Sequence, residues 1–500
     1  MSGNSSERFI AAVDFGTKKT ALAVARVEGN NTQIMFYRTA PSAGIMHSAV
    51  AGVTKVEAVL KGLIDEAERD LNIKISQIVT GLPRCFIRQQ DATGTLPRNN
   101  PDDCISEEEI ETLKSLAQES DQDSSSDTER IYGVIAQSFS TGDYFQLIEN
   151  DVVGMTGDEI TGHFKVFIGP KRPISSMTKV FNDLGIAVCR TYFTPLATAK
   201  AVLTEEETGN GVALIDFGAG TTSVSIFSKK VLAAYGSVPF GGNTVTNDLR
   251  MECGISEGMA ENIKIAFGGC MPDRLLNFGE KIIQIETDDM SAYKQIPVSY
   301  LSEIITARMK EIIDAMLWYI QESGLQNELR KGIVITGGGA EMLNIVNYIK
   351  EVSGYNVRVA YPRHGFVATG AESILRADAA TIAGLVLSGR DDNVNCCIEG
   401  EGGAAMPGEA KPSEVQIEEA PEAGDAGTQE APAHEVPEEK PAQTEPEKKP
   451  EPAKAAETEK KAEPEQKKKK EKRPFIWKLL GQKLNDVYEH ATNEINNEEV

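Results

Sequence analysis

Several features that mark common functional classes are missing from the 500 residues of the chain. The seven cysteines form no Cys-x-x-Cys pair and no Cys/His cluster with zinc spacing, so we expect reduced thiols and no zinc site. No run of 18 or more apolar residues occurs, and no transmembrane helix is predicted. Residues 1–8 lack the apolar segment of a signal peptide. Neither the Rossmann Gly-x-Gly-x-x-Gly pattern nor the Walker phosphate-loop pattern is found.

Positive charge is scarce in most of the chain. The formal net charge is -24, which argues against nucleic acid as a partner because neutralising phosphates requires clustered Lys and Arg. Residues 391–466 hold 21 acidic and 7 basic side chains and almost no aromatic or β-branched residues. Such a segment buries too little apolar surface to offset its ordering entropy. We therefore predict a disordered acidic linker over 391–466.

The charge reverses at the end of the chain. Residues 467–483 contain eight basic residues and one acidic residue, and Pro474 suits the first turn of a helix. Apolar residues then recur at three- and four-residue steps, which predicts a basic amphipathic helix over 467–490. The predicted membrane-contacting residues are Phe475, Ile476, Trp477, Leu479 and Leu480. We expect the helix to bind anionic lipid as a peripheral anchor; packing on the body or in a partner's groove is the alternative.

Three glycine-rich turns each follow a short apolar strand-like segment before residue 390. The first two share the sequence Asp-Phe-Gly and are each followed by a second strand-like segment, whereas the third is a triple glycine that leads into a predicted helix. The candidate nucleotide-binding residues are Asp14, Gly16, Thr17, Lys18 and Lys19 in the first turn, Asp216, Gly218, Ala219, Gly220, Thr221 and Thr222 in the second, and Gly337, Gly338, Gly339 and Met342 in the third.

These residue types suit the binding of ATP. Glycine lets backbone N–H groups approach phosphate oxygens without an intervening Cβ. Asp14 and Asp216 are the predicted metal residues, which would hold a hydrated Mg²⁺ on the phosphates from two sides. A single Asp-x-Gly turn is also typical of a plain hairpin. The repetition of the same hairpin about 200 residues apart, followed by the triple glycine, favours the nucleotide interpretation.

This order of motifs resembles the actin/Hsp70/sugar-kinase superfamily, with its two phosphate motifs and its adenosine motif on duplicated lobes. The resemblance implies an α/β fold: an actin-like (ribonuclease H-like), two-lobed ATPase fold. Residues 258–269 resemble a superfamily segment whose Glu and Lys contact ribose and base, which implies that role for Glu261 and Lys264. A solvated Glu–Lys pair on a helix is the alternative.

Three features resemble the FtsA family of bacterial cell-division proteins in particular. Residues 238–248, Val-Pro-Phe-Gly-Gly-Asn-Thr-Val-Thr-Asn-Asp, are similar to a Pro-x-Gly-Asn-x-Val-Thr-x-Asp segment of that family, and Gly242 within them joins the predicted nucleotide site. Residues 150–157 are similar to its Pro-Val-Gly-Leu-Ser-Gly stretch in a small inserted domain. The linker and basic helix resemble its membrane-targeting ending, which actin, Hsp70 and sugar kinases lack.

The resemblance implies a location, partners and a domain plan. A member of the family is expected at the cytoplasmic face of the bacterial membrane at the division septum, where it self-associates into filaments and binds the tubulin-like protein FtsZ and other divisome proteins. The expected units are a first lobe at 8–83 and 169–208, an inserted α+β domain at 84–168, a second lobe at 209–390, the disordered linker at 391–466 and the amphipathic helix at 467–490.

Hydrolysis is expected to be slow at most. Residues 194–203, on the helix where faster ATPases of the superfamily place a Gln or Glu, contain no carboxylate or amide side chain. Rival functions stay open at this point. A sugar or acid kinase requires an Asp base that we cannot identify, and an Hsp70-type chaperone requires a β-rich domain where the linker lies. A pilus-assembly homologue of the PilM type shares the fold and the insert, but the basic terminal helix favours FtsA.

Overall fold

The computed structural model describes residues 7–29, 31–119, 128–286 and 293–399. It has an α/β architecture with two five-stranded sheets and one four-stranded sheet. Within these ranges no helix is both long enough and apolar enough to cross a membrane. The predicted linker beyond residue 399 and the predicted helix 467–490 lie outside the described residues, as do the membrane residues Phe475, Ile476, Trp477, Leu479 and Leu480.

The first lobe is built on a five-stranded sheet. Its strands are β1 (Arg8–Phe15), β2 (Lys19–Glu28), β3 (Asn31–Pro41), β7 (Gln77–Gly81) and β12 (Ala187–Tyr192), with short strands β4 (Ile45–Met46), β5 (Ala49–Val50) and β6 (Ile73–Ile75) nearby. The order is β12-β7-β1-β2-β3; β1 to β3 are antiparallel, and β7 and β12 run parallel to β1. Its helices are α1 (Val53–Leu71), α4 (Lys171–Asp183) and α5 (Thr194–Val202). Residues 10–13 of β1 are fully buried, which requires packing on both faces of the sheet.

The second lobe repeats this topology. Its strands β13 (Val212–Phe217), β14 (Thr222–Ser228), β15 (Val231–Val238), β18 (Ile333–Thr336) and β19 (Val357–Val359) follow the order β15-β14-β13-β18-β19. Its other elements are α6 (Glu205–Asn210), α7 (Gly242–Cys253), α8 (Glu257–Phe267), β16 (Ile282–Glu286), β17 (Tyr293–Pro297), α9 (Val298–Glu322) and α10 (Ile345–Ser353). In both lobes an antiparallel three-stranded meander is followed by two parallel strands. The repeated hairpin in the sequence therefore corresponds to a repeated sheet.

A smaller unit lies between the two parts of the first lobe in the sequence. It consists of β8 (Arg88–Pro97), α2 (Glu107–Glu119), β9 (Glu129–Thr141), β10 (Tyr144–Leu147), α3 (Glu149–Val152) and β11 (Glu159–Pro170). The sheet order is β10-β9-β11-β8, so β10 and β8 are its edges. Phe139 and Phe164 pack edge to face in a core separate from those of the lobes. We call this unit the small domain.

The end of the described chain returns to the first lobe. Helix α11 (Ala380–Asp391), expected in the second lobe, packs against β1 and α5. The contact is close, because a Cβ on Gly384 would lie 1.7 Å from the Ala197 carbonyl oxygen. Strand β20 (Cys397–Glu399) then pairs with β6, and Cys396 is buried. The linker was expected from residue 391, but residues 391–399 still belong to the folded body, because apolar residues just beyond 391 are buried and β20 pairs with β6.

Candidate nucleotide-binding site

The first two glycine turns have the same local geometry. In the first, between β1 and β2, the Gly16 N–H donates to the Lys19 carbonyl at 3.1 Å; in the second, between β13 and β14, the Gly218 N–H donates to the Thr221 carbonyl at 2.9 Å. The equivalent hydrogen bonds close two equivalent turns at the end of the first strand of each sheet. The sequence repeat thus places one small, glycine-containing turn on each lobe.

The structure brings these two turns into direct contact. A Cβ on Gly220 would lie 2.5 Å from the Thr17 hydroxyl oxygen, so only glycine permits this approach. The turn between β4 and β5 joins them: the Ser48 N–H donates to the Thr17 hydroxyl at 3.1 Å, and His47 Nδ1 lies 3.0 Å from the Gly220 carbonyl oxygen. The hydroxyls of Ser48 and Thr221 are 3.3 Å apart. The two lobes therefore meet at the predicted phosphate turns.

Asp14 and Asp216, at the ends of β1 and β13, are bridged by a residue that the sequence analysis did not assign. Arg84 Nη1 donates to Asp216 Oδ2 at 2.5 Å, and Nη2 lies 3.2 and 3.4 Å from the two oxygens of Asp14. The three side chains are between 10% and 18% exposed. Burial lowers the pKa of the Arg84 guanidinium, because it disfavours the charged form. The two carboxylates have the larger, opposite effect, so the pKa is raised overall. Burial also raises the pKa of Asp216, against the opposing effect of Arg84.

This arrangement does not fit a divalent cation held between Asp14 and Asp216. Carboxylate oxygens are suitable ligands for Mg²⁺, but Arg84 contacts three of the four oxygens and lies between the two groups. The fourth oxygen, Asp216 Oδ1, faces the Gly337 backbone, where an added Cβ would lie only 2.4 Å away. Among the described residues, no group of three or more His, Cys, Asp and Glu side chains has a metal-binding arrangement.

The two lysines of the first turn point to different partners. Lys18 Nζ lies 3.6 Å from Glu261 and its side chain is more than half exposed. Lys19 Nζ donates to Asp378 at 2.7 Å and to the Tyr37 hydroxyl at 3.4 Å. Burial alone would lower the pKa of Lys19, but Tyr37 and Asp378 together raise it. Lys18 is thus the more accessible of the two cations.

Gly242, Glu261 and Lys264 form one cluster beside the second turn. Lys264 Nζ donates to the Gly242 carbonyl at 2.9 Å, to Glu261 at 2.8 Å and to the Thr246 hydroxyl at 2.7 Å. Gly242, the first residue of α7, donates its N–H to the Gly218 carbonyl. Burial raises the pKa of Glu261, but hydrogen bonds from Lys264 and Thr246 outweigh it and lower the pKa. Glu261 and Lys264 are thus a half-buried ion pair that is held against the second turn.

The remaining residues of the second turn face α7. The Ala219 carbonyl accepts a hydrogen bond from the N–H of Asn243 at 2.8 Å. The Thr222 hydroxyl donates to the Phe240 carbonyl at 2.9 Å, and Thr222 is fully buried. The segment that resembles the FtsA family thus packs directly on the second phosphate turn.

The third turn differs in detail from the prediction of a strand leading straight into a helix. Gly337 has φ +84°, and residues Gly338–Glu341 form a 3₁₀ turn. Helix α10 begins only at Ile345, because Asn344 adopts a left-handed conformation with φ 62°. Gly339 lies against Phe217, and a Cβ there would be 2.8 Å from that side chain. Met342 ends the turn, and its sulfur accepts a contact from the Cys270 thiol at 3.6 Å.

Helix α5 lies next to Arg84. Thr194 and Thr198 border a cavity of about 10 Å³ together with Arg84 and Asp216. The Thr194 hydroxyl donates to the Leu82 carbonyl at 2.5 Å. The helix expected to carry a hydrolytic Gln or Glu in faster ATPases therefore lies at the site and contributes threonines.

A larger cavity of about 390 Å³ lies elsewhere, between the small domain, α5 and the hairpin of β14 and β15. Its lining includes Phe139, Leu196, Leu203 and Leu232, with Lys200 and Lys230 among the charged residues. None of the predicted nucleotide residues lines it. Its size alone gives no reason to assign it to the nucleotide, because the glycine turns that suit phosphates are elsewhere.

Sequence reasoning missed Arg84, Thr246, Asp378, His47 and Ser48 at this site. The first of these had a usable signal, because Arg84 follows a Gly-Leu-Pro turn at the end of a buried strand. In parallel sheets the carboxyl ends of the strands face the ligand crevice, and β7 runs parallel to β1. Thr246 lies in the segment 238–248 that was already singled out, four residues after Gly242. The other three belong to segments with no glycine motif, and only the tertiary fold brings them to the site.

Sequence comparisons relate the chain to known cell-division proteins. The family model described as cell division protein FtsA matches residues 213–384. Cell division protein FtsA of Neisseria meningitidis serogroup B is 27% identical over 361 residues, covering 71% of this chain and 84% of the relative. The FtsA of Borreliella burgdorferi is 29% identical over 362 residues, covering 71% of this chain and 85% of the relative.

Among solved structures, the fold resembles a chain of the PilM-PilN type IV pilus biogenesis complex. The TM-score is 0.55 with 14% sequence identity, over 77% of this chain and 99% of the other. At this identity the likeness concerns the fold alone, which is the actin-like fold predicted from the motifs. The family match and the FtsA relatives confirm the resemblance predicted from the sequence: over about 71% of its length the chain is similar to the bacterial cell division protein FtsA, and its fold is actin-like.

Proposed function

We propose that this protein binds ATP between its two lobes, polymerises on the cytoplasmic membrane at the division septum and tethers the FtsZ ring there, with other divisome proteins as further partners. The observation that carries the proposal is the contact between the two glycine turns. The Thr17 hydroxyl faces Gly220 at a distance that no Cβ would allow. A ligand that binds both turns therefore acts on the relative position of the lobes.

The nucleotide part of the proposal is supported by the donors gathered at the turns. Backbone N–H groups and threonine hydroxyls of both turns suit phosphate oxygens, and the accessible Lys18 supplies a positive charge. Glu261 and Lys264 are proposed to contact ribose and base beside Gly242. The predicted Mg²⁺ between Asp14 and Asp216 is not part of the proposal, because Arg84 occupies that position.

Self-association is proposed to use the small domain, which we propose as a separate contact domain for filaments and partners. Strand β10 is an edge of its sheet, and Tyr144 and Phe145 on this strand are 60% and 72% exposed. An exposed edge strand with aromatic side chains favours pairing with another chain. Strand β10 belongs to the small domain, whereas the glycine turns belong to the two lobes, so we propose that this surface is available while nucleotide is bound.

Membrane attachment is proposed to occur through the helix predicted at 467–490, at the end of the acidic linker. Each juxtamembrane cation contributes on the order of 1 kcal/mol, so a single helix is a modest anchor. Polymerisation places many such helices on one surface and multiplies their binding through avidity. ATP binding is thereby coupled to membrane binding.

Co-sedimentation with vesicles tests this coupling. The full chain is mixed with vesicles of anionic or of purely zwitterionic lipid, with and without ATP, and the pelleted fraction is measured. We expect pelleting with anionic vesicles that increases when ATP is added. Equal pelleting with and without ATP, or with both lipid types, contradicts the coupling and favours a small-molecule kinase or a pilus-assembly homologue.

ATP hydrolysis is expected to be slow or negligible. Helix α5 presents Thr194 and Thr198 at the site, and neither side chain is a general base. A positioned base contributes about 10²- to 10⁴-fold to a reaction rate, and this contribution is missing at α5. Phosphate release measured with the purified chain checks the expectation. A turnover as fast as that of Hsp70-type ATPases contradicts it.

A further inference from the structure

Arg84 is placed between the lobes by the topology of the first sheet. Strand β7 runs parallel to β1, with Thr80 opposite Val13, so the turn that follows β7 leaves the sheet beside Asp14. Gly81 is the last residue of β7, and Leu82 and Pro83 connect it to Arg84. Its guanidinium reaches Asp216 of the second lobe. One side chain thus contacts the motif aspartates of both lobes.

The position of Arg84 is fixed through its backbone as well. The Tyr235 hydroxyl, on β15 of the second lobe, donates to the Arg84 carbonyl at 2.5 Å. On the other side, the Leu82 N–H donates to the Tyr192 carbonyl at 2.8 Å. Little side-chain or backbone freedom remains for Arg84 to lose on ligand binding, so the guanidinium is preorganised.

The guanidinium retains donors for a ligand. It has five N–H groups, and the three contacts to Asp14 and Asp216 use at most three of them. Guanidinium groups bind phosphate oxygens in a planar, two-pronged geometry and stay charged at any physiological pH. The remaining donors belong to the same group that pairs with the carboxylates at the two phosphate turns.

We propose that Arg84 is a resident cation that takes the place of the divalent metal, so that this chain binds nucleoside polyphosphate without Mg²⁺. The inference rests on the proposed ATP binding. Arg84 offsets one of the two negative charges of Asp14 and Asp216, so it weakens their repulsion of the phosphates, and it donates hydrogen bonds to the phosphate oxygens. A bound metal between the carboxylates would have to displace a buried, doubly paired arginine.

The first test measures the affinity of the full chain for a fluorescent ATP analogue in Mg²⁺ and in EDTA. We expect the two Kd values to differ by less than about threefold. A loss of tenfold or more in EDTA overturns the role of Arg84 and leaves the proposed ATP binding intact. No binding under either condition overturns the proposed ATP binding itself.

The variant Arg84→Gln extends the test, because it leaves the two aspartates without their cation. We expect its affinity for the analogue to become at least about tenfold higher in Mg²⁺ than in EDTA. Arg88→Gln is the matched control, since the exposed side chain of Arg88 pairs with Glu129 on the small domain. We expect Arg88→Gln to bind the analogue with similar affinity in Mg²⁺ and in EDTA, as the parent chain does.

The variant Arg84→Lys tests the role of the positive charge even if Arg84→Gln does not fold. It retains one positive charge near the carboxylates, and we expect weaker binding of the analogue that is still independent of Mg²⁺. If Arg84→Gln does not fold, Arg84→Lys and the parent chain still decide the question. Metal-dependent binding by the parent, or metal-independent binding by a folded Arg84→Gln, overturns the proposal.

Discussion

Replacing Gly337 with alanine is expected to weaken ATP binding at least about tenfold and to lower the free energy of unfolding by about 3 kcal/mol. Gly337 has φ +84° and ψ 170°, a region that only glycine adopts readily. A Cβ there would lie 2.4 Å from Asp216 Oδ1 and 2.5 Å from the Phe217 carbonyl oxygen. The substitution therefore strains the third turn and pushes Asp216 away from Arg84. Urea unfolding and titration with a fluorescent ATP analogue measure the two effects.

Gly370→Ala is the control for backbone strain. Gly370 also has a positive φ, +83°, but an added Cβ meets nothing within 4 Å. We expect it to cost about 1 kcal/mol of stability and to leave the affinity for the analogue unchanged. Equal effects of the two substitutions would contradict the assigned contact between the third turn and Asp216. Equal effects would show that the positive φ of the glycine alone determines the loss of stability and of affinity.

Ending the chain at Glu471 is expected to reduce binding to anionic vesicles at least about 100-fold. The truncation removes the whole apolar face of the predicted helix, including Trp477, and the four cations Lys472, Arg473, Lys478 and Lys483. Each cation near an anionic surface contributes about 1 kcal/mol. Co-sedimentation at fixed lipid and salt concentration measures the change. Unaltered pelleting of the truncated chain would eliminate the lipid anchor.

Two substitutions that add the same charge distinguish insertion of the predicted helix into the lipid from its electrostatic attraction to the anionic surface. Leu480→Asp places a charge on the predicted apolar face, whereas Asn485→Asp places it on the predicted polar face. We expect a large loss of vesicle binding for the first variant and a small one for the second, because only the first buries a carboxylate in the interface. Equal losses would indicate that charge alone holds the chain on the vesicle.

The duplicated fold was predictable because its signals are local. Each Asp-Phe-Gly hairpin lies within about 15 residues, and strand, turn and strand follow one another in the sequence. The hydrogen bond from Gly16 to Lys19 and that from Gly218 to Thr221 are formed by these same segments. Short-range patterns of this kind specify turn geometry directly through glycine and strand propensity.

The contacts of Arg84 with Asp14 and Asp216, which join the two lobes, could not be predicted in the same way. Arg84 is 70 residues from Asp14 and 132 residues from Asp216 in the sequence, and only the parallel pairing of β7 with β1 brings the three together. Helix α11 presents a similar case, since its residues 380–389 are all buried. A helix whose residues are nearly all apolar is predicted to be central, but its pattern does not determine which lobe it packs on.

Recruitment of FtsZ to vesicles tests the central claim most directly. Fluorescent FtsZ from the same organism is incubated with anionic vesicles, ATP and either the full chain or the chain that ends at Glu471, and vesicle fluorescence is recorded. The account predicts that FtsZ accumulates on the vesicles only with the full chain. Accumulation that does not depend on residues 472–500, or no accumulation although the full chain coats the vesicles, would contradict the proposed tether.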